Sequence, residues 1–222
     1  MCSRVSTPDP LLIITVLGAV ALLPFLALLV TSFTKIVVVL GLLRQAMGLQ
    51  QIPPNMVVNA LAIILSAYVM APIGMHAADT LKDKLQGPVA SRRFEDLPVI
   101  YESVSTPLRA FLSKHTTAHD RAFFVRSAVK LWPAEVASGV RDDDMLVLIP
   151  SFTLRELTSA FQIGFVIYLA FVIIDLLVGN VLLALGMQML SPTVVSTPFK
   201  LLLFVALDGW ERLVHGLVLG YQ

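Results

Sequence analysis

LTSAFQIGFVIYLAFVIIDLLVGNVLLALGMQMLSPTVVSTPFKLLLFVALDGW, residues 157–210, decides the fold. Leu157 to Ile174 carries no charge, Asp175 interrupts, and Leu176 to Phe199 is again uncharged before Lys200. Within it, Gly186 to Lys200 holds a glycine, two prolines and two methionines. An apolar run broken by Gly and Pro predicts two helices and a tight reversal. Each arm exceeds the ~20 apolar residues needed to cross a ~30 Å hydrocarbon core. Asp175 and Lys200 are costly in such a setting and should face protein or water.

With the reversal centred near Gln188, Asp175 lies thirteen residues before the centre and Lys200 twelve after it. At ~1.5 Å rise per residue the two reach similar depth and can pair. The alternative is that each reaches water separately. Lys200 and Glu211, eleven apart, share a helix face about three turns distant, which offers Lys200 no direct alternative partner in its own helix, and Asp208 and Arg212 are spaced to satisfy each other at i, i+4.

The same character extends outward. Of 222 residues, 57% are hydrophobic and 14% charged, against about a quarter charged in soluble domains. This is an integral membrane chain, or one that buries nearly every helix in partners. A net charge of +1 gives no bulk attraction to nucleic acid. Cys2 is the single cysteine, so no intrachain disulfide and no cysteine-based metal site can form. His115 and His119 have helical metal-ligand spacing, but a solvated pair in a loop is the favoured reading. No metal or cofactor is expected.

Residues 1–10 form a polar leader without the features of a removable signal. Leu11 to Val30 is apolar, with Pro24 expected to kink it. Thr31, Ser32 and Thr34 then surround Lys35, and a further apolar run reaches Arg44. Leu11 to Leu43 is too long for one perpendicular crossing, so it must tilt, break or leave the membrane. Gln50, Gln51, Pro53 and Pro54 predict a polar turn, with Asn55 as N-cap of the next apolar helix. Residues 11–75 are thus one hydrophobic hairpin.

Residues 76–150 differ in kind, with ten Lys/Arg and ten Asp/Glu. They predict a small, mostly helical soluble domain, with residues 151–222 forming the second hydrophobic hairpin. Thr106-Pro107 reads as a helix start running to Lys114. Asp120 reads as the cap of a helix over 122–132, with Phe124, Ala128 and Leu131 on one face. Asp142, Asp143 and Asp144 read as a solvated turn or helix start, since consecutive carboxylates make no cage. The fold class is all-α. Cationic short loops at Arg44 and Lys200 place those loops in the cytoplasm, with the central domain and both termini outside.

Thr31 to Pro72 (TSFTKIVVVLGLLRQAMGLQQIPPNMVVNALAIILSAYVMAP) and Ile149 to Pro192, followed by PFKLLLFVALDGW at 198–210, resemble the type III secretion export-gate subunit called SctR and its flagellar relative FliP. The central LWP and RDDDMLVLIP are closer to the virulence injectisome branch. The resemblance implies a homo-pentamer joined by S and T subunits into a helical export gate in the bacterial inner membrane. Other export apparatus subunits, of the U and V types, are implied as neighbours, and unfolded secreted proteins as passengers. The assembled gate projects to the periplasmic side, with apolar helices buried against other subunits. No catalytic activity is implied.

The resemblance also implies a methionine-rich gasket at Met187, Gln188, Met189 and Leu190, where Gln188 replaces a methionine and would hydrate one layer. The plain alternative is a turn with Met filling gaps. Lys35, Arg44, Glu156, Asp175, Lys200 and Asp208 are the expected buried charges or subunit contacts. Pro53, Pro54, Asn55 and Pro192 are the turn residues. The flagellar form has Lys at Thr158, and relatives commonly have Pro at Ala170, which removes the reason for a kink there. A small-solute or ion transporter using Asp175 and Lys200 is the competing function. An intramembrane hydrolase using Ser159 or Ser191 with His215 lacks any supporting motif.

Overall fold

The computed structural model describes residues 18, 21, 25, 27–49, 51–84, 97–187 and 189–222. The leader, Pro24 and Gln188 lie outside the described residues. Among those described there is no strand. The helices are α1 (Phe33–Ala46), α2 (Asn55–Lys84), α3 (Leu97–Lys114), α4 (Ala118–Leu131), α5 (Ala134–Ala137), α6 (Met145–Ala184), α7 (Pro192–Ala206) and α8 (Gly209–Leu219). The protein is all-α.

Two of these helices are long and apolar enough to cross a membrane, α2 and α6. At ~1.5 Å per residue they are about 45 and 60 Å long, and α6 is about twice the thickness of a hydrocarbon core. It runs unbroken through Ala170. Both cross the expected domain boundaries, α2 passing residue 76 and α6 beginning at Met145.

The long first apolar segment breaks. Residues 27–30 are helical, Thr31 and Ser32 interrupt, and α1 begins at Phe33. Ser32 is fully buried and donates to Ser66 Oγ of α2 at 3.1 Å. The α1 residues that face inward are Lys35, Ile36, Val39, Leu40, Leu43 and Ala46. This three-to-four spacing makes one stripe, laid against α6 and α2. Contact with α6 is close at Gly164, where an added Cβ would stand 2.2 Å from Leu42 Cδ1.

The second hairpin departs from two continuous arms. α7 has only 15 residues, too few for a crossing. The chain breaks at Leu207–Asp208, and Asp208 takes the left-handed conformation with φ 51°. Gly209 is required next, because a Cβ there would meet the Phe204 ring at 2.4 Å and its carbonyl oxygen at 2.7 Å. Lys200 and Glu211 therefore lie on different helices and share no face. The reversal uses Gly186 at φ +73°, and Pro192 opens α7 at its first turn, where a missing N–H is harmless.

Several local expectations are corrected. α3 begins at Leu97 and carries Pro107 inside it, so Thr106-Pro107 is not its start. The cap of α4 is Thr117, in a capping box whose third helical residue is Asp120. Leu131 on that helix is exposed while Ala128 is buried. His115 and His119 sit on opposite sides of the Thr116–Thr117 turn, so helical ligand spacing does not apply. His115 is half-buried instead of solvated and packs on Phe111, with ring centroids 4.6 Å apart. Asp142 to Asp144 do form the expected helix start, a turn with Asp144 at the N-cap of α6. The neighbouring acids face arginines: Asp143 binds Arg141 at 2.7 and 2.9 Å, and Asp142 lies 3.8 Å from Arg121. The Arg141 hydrogen bond holds the Asp143 carboxyl below its ordinary value.

Candidate functional site

Two buried charge clusters and one exposed loop collect most of the expected site residues. The first cluster joins α6, α7 and the end of α1. Lys200, 1% exposed, donates to Asp175 Oδ2 at 2.7 Å and to the Ala46 carbonyl at 3.0 Å. Ala46 is the last residue of α1, whose terminal carbonyls have no intrahelical partner and carry partial negative charge. Ser196, one turn before Lys200, donates its hydroxyl to the other Asp175 oxygen. Asp175 and Lys200 are legible from their distance to the turn; Ser196 is signalled only by its i, i+4 relation to Lys200, and Ala46 enters through tertiary structure alone.

Arg44 braces the turn that follows α1. Its guanidinium donates to the Pro53 carbonyl at 3.0 Å and to Asn55 Oδ1 at 2.7 Å. The Pro54 carbonyl accepts from Val57 and Val58, so Pro54 occupies the cap position. Asn55 is the first helical residue and serves Arg44 instead of capping.

The second cluster lies between α1 and α6. Lys35 Nζ stands 3.8 Å from Glu156 Oε1, with both side chains at least nine-tenths buried. Tyr221 donates its hydroxyl to Glu156 Oε2, and its ring lies under Lys35 Nζ, 4.5 Å from the centroid. Tyr221 had no sequence signal, since it follows α8 at a turn. Burial is the main cause that raises its phenol well above the ordinary value.

Asp208 is exposed, not buried. It meets Arg212 through the Arg212 N–H to Asp208 carbonyl bond at 3.1 Å, and no side-chain ion pair joins them among the described residues. On either side of residue 188, Leu185 to Met187 and Met189 to Ser191 are exposed. Met189 is completely exposed, and Met187 and Leu190 are about half exposed at 47% and 49%. Ser191 Oγ pairs with Thr193 at 2.8 Å instead of with His215.

Two helices of membrane-spanning length and apolarity, with lysines held in apolar surroundings, are the features of a helical membrane-type protein. The FliP family matches residues 16–217, and the chain belongs to that family. It is 53% identical over 204 residues to the Hypersensitivity response secretion protein HrcR of Ralstonia nicotianae, covering 92% of this chain and 94% of the relative. It is 48% identical over 217 residues to the Yop proteins translocation protein R of Yersinia pestis, covering 98% and 99%. To the Virulence protein YscR of Salmonella typhimurium it is 38% identical over 219 residues, covering 98% and 100%.

Proposed function

We propose that this chain is a structural, pore-forming subunit of a type III secretion export gate. It assembles as a pentamer with S and T subunits and conducts unfolded proteins across the bacterial inner membrane without chemistry of its own. The observation that carries the reading is the match, over nearly its whole length, to relatives whose names specify secretion, translocation and virulence. The surface supports it. Phe161, Phe165, Val166, Leu176 and Leu177 on α6 are each more than half exposed, an apolar extent that marks contact with lipid or other subunits. A groove of ≈ 740 Å³ between α6 and the α7–α8 pair is lined almost entirely by apolar side chains. Lys200 and Asp175 already satisfy each other and two further groups, which argues against a vacant transport site.

In this reading Met187, Gln188, Met189 and Leu190 form the gasket, and flexible apolar Met side chains repack around a passing chain. Segment 97–144 lies on the periplasmic side, and subunits of the U and V types are neighbours. Co-expression with S and T subunits, detergent extraction and native mass measurement test the proposal. A ring of several copies is expected, and a chain that stays monomeric would overturn it. Replacing Met187 and Met189 with Gly should raise ion leakage; loop side chains lying away from the pore axis would remove the gasket.

A further inference from the structure

Three distant parts of the chain meet at Tyr221. Lys35 comes from the first turn of α1, Phe111 and His115 from the end of α3, and Phe152 and Glu156 from α6. The Tyr221 ring stacks on Phe111 at 6.2 Å and 20°, and meets His115 edge-on at 5.2 Å and 63°. Phe111 in turn packs on Phe152, at 5.5 Å, one helical turn before Glu156.

The polar end of the junction is unequal. Lys35 Nζ lies 3.8 Å from Glu156 Oε1, which is beyond a hydrogen bond. The close partner of the buried Glu156 carboxyl is therefore the neutral Tyr221 hydroxyl. Lys35 rests over the ring that carries this hydroxyl, in a cation–π arrangement. A phenylalanine would fill the same space and keep every ring contact, but it would leave Glu156 without its donor.

We propose that Tyr221 is the positioning residue of this junction. Its hydroxyl orients Glu156, its ring holds Lys35 and the end of α3, and together they set how segment 97–144 is seated on the hydrophobic helices. The consequence for assembly rests on the export-gate reading above.

The test uses the full chain co-expressed with S and T subunits, carrying Tyr221→Phe, Tyr221→Ala, Glu156→Gln, or Tyr221→Phe with Glu156→Gln. The readouts are the assembled fraction, the melting temperature, and hydrogen exchange of residues 111–116. Tyr221→Phe should insert normally yet lower the assembled fraction about tenfold, the effect of one lost bond to a buried charged group. Combining it with Glu156→Gln should cost less than the sum of the two single changes, because the hydroxyl and the carboxylate act on each other. Tyr221→Ala should also speed exchange at 111–116. A Tyr221→Phe complex that assembles and melts like the unsubstituted one, or strictly additive defects, would overturn the proposal. If the unsubstituted chain itself fails to assemble, the export-gate reading falls instead. The junction is then decided by melting and exchange of the chain alone in detergent.

Discussion

Among the described residues two buried lysines pair with carboxylates, and the two pairs are built differently. At Lys200 the ammonium is closed by short bonds to Asp175 and to the end of α1, with Ser196 on the remaining carboxylate oxygen. At Lys35 the ion pair is long, and an aromatic ring and its hydroxyl do the close work. The first site draws its partners from the hydrophobic helices alone. The second reaches through Tyr221 to α3 and thus to the charged segment. The difference separates a site that locks the helices together from one that couples them to another part of the chain.

Breaking the lock should have the largest effect. Asp175→Asn leaves the Lys200 ammonium buried without its counter-charge, which costs about 3–5 kcal/mol. Lys200→Gln should cost less, because the Asp175 side chain is 24% exposed and can reach water. The double variant should be less damaging than the sum of the two. Denaturation in detergent measures all three; additive defects would mean two separately solvated charges.

The seat of α1 on α6 lies between the clusters, and Gly164→Ala probes it. The new methyl would meet Leu42 Cδ1 at 2.2 Å and Cβ at 3.0 Å. Forced overpacking of this kind costs about 1–3 kcal/mol, and Leu42→Ala in the same chain should relieve part of it. Thr117→Ala is smaller still and touches neither cluster. It removes the capping-box hydroxyl that accepts from the Asp120 N–H at 3.2 Å, at about 1 kcal/mol. A melting curve should show the loss with the Asp175–Lys200 coupling unchanged.

What the sequence revealed follows the same division. Asp175 and Lys200 were legible because counting from the turn needs only a constant rise, and both lie within helices adjacent to that turn. The same counting failed for Lys200 and Glu211 because it passed through Asp208, where the chain is left-handed. The Asp208-Gly209 dipeptide was the available turn signal, hidden in an apolar run. The two threonines between His115 and His119 end one helix and cap the next, so their i, i+4 spacing is not that of a single helix. Lys35 was legible as a lone charge beside an apolar run and Glu156 as an expected buried charge or subunit contact, but nothing in the sequence paired them or pointed to Tyr221. Its partners are set by where α8 delivers the chain, which no local pattern encodes.

The smallest effect separates the two clusters by pH. His115 packs against Tyr221 in the second, while the first contains no histidine. Burial, followed by the charges of Lys114 and Lys35, holds the His115 imidazole below its ordinary value of 6.5. Arg121 of α4, bound to the flanking Ser113 carbonyl at 3.2 Å, adds no acid that would reverse this. With the folded value depressed, the unfolded chain takes up the proton first as pH falls. Stability is therefore full above pH 6.5, declines as pH falls through that value, and stops declining below the folded one. Because His115 is half-exposed, solvent screening keeps the change below that of the helix cap. His115→Gln should flatten the melting temperature between neutral and mildly acid pH, while Asp175→Asn should leave the slope in place. A slope that survives His115→Gln would assign it to another group and detach His115 from the Tyr221 junction.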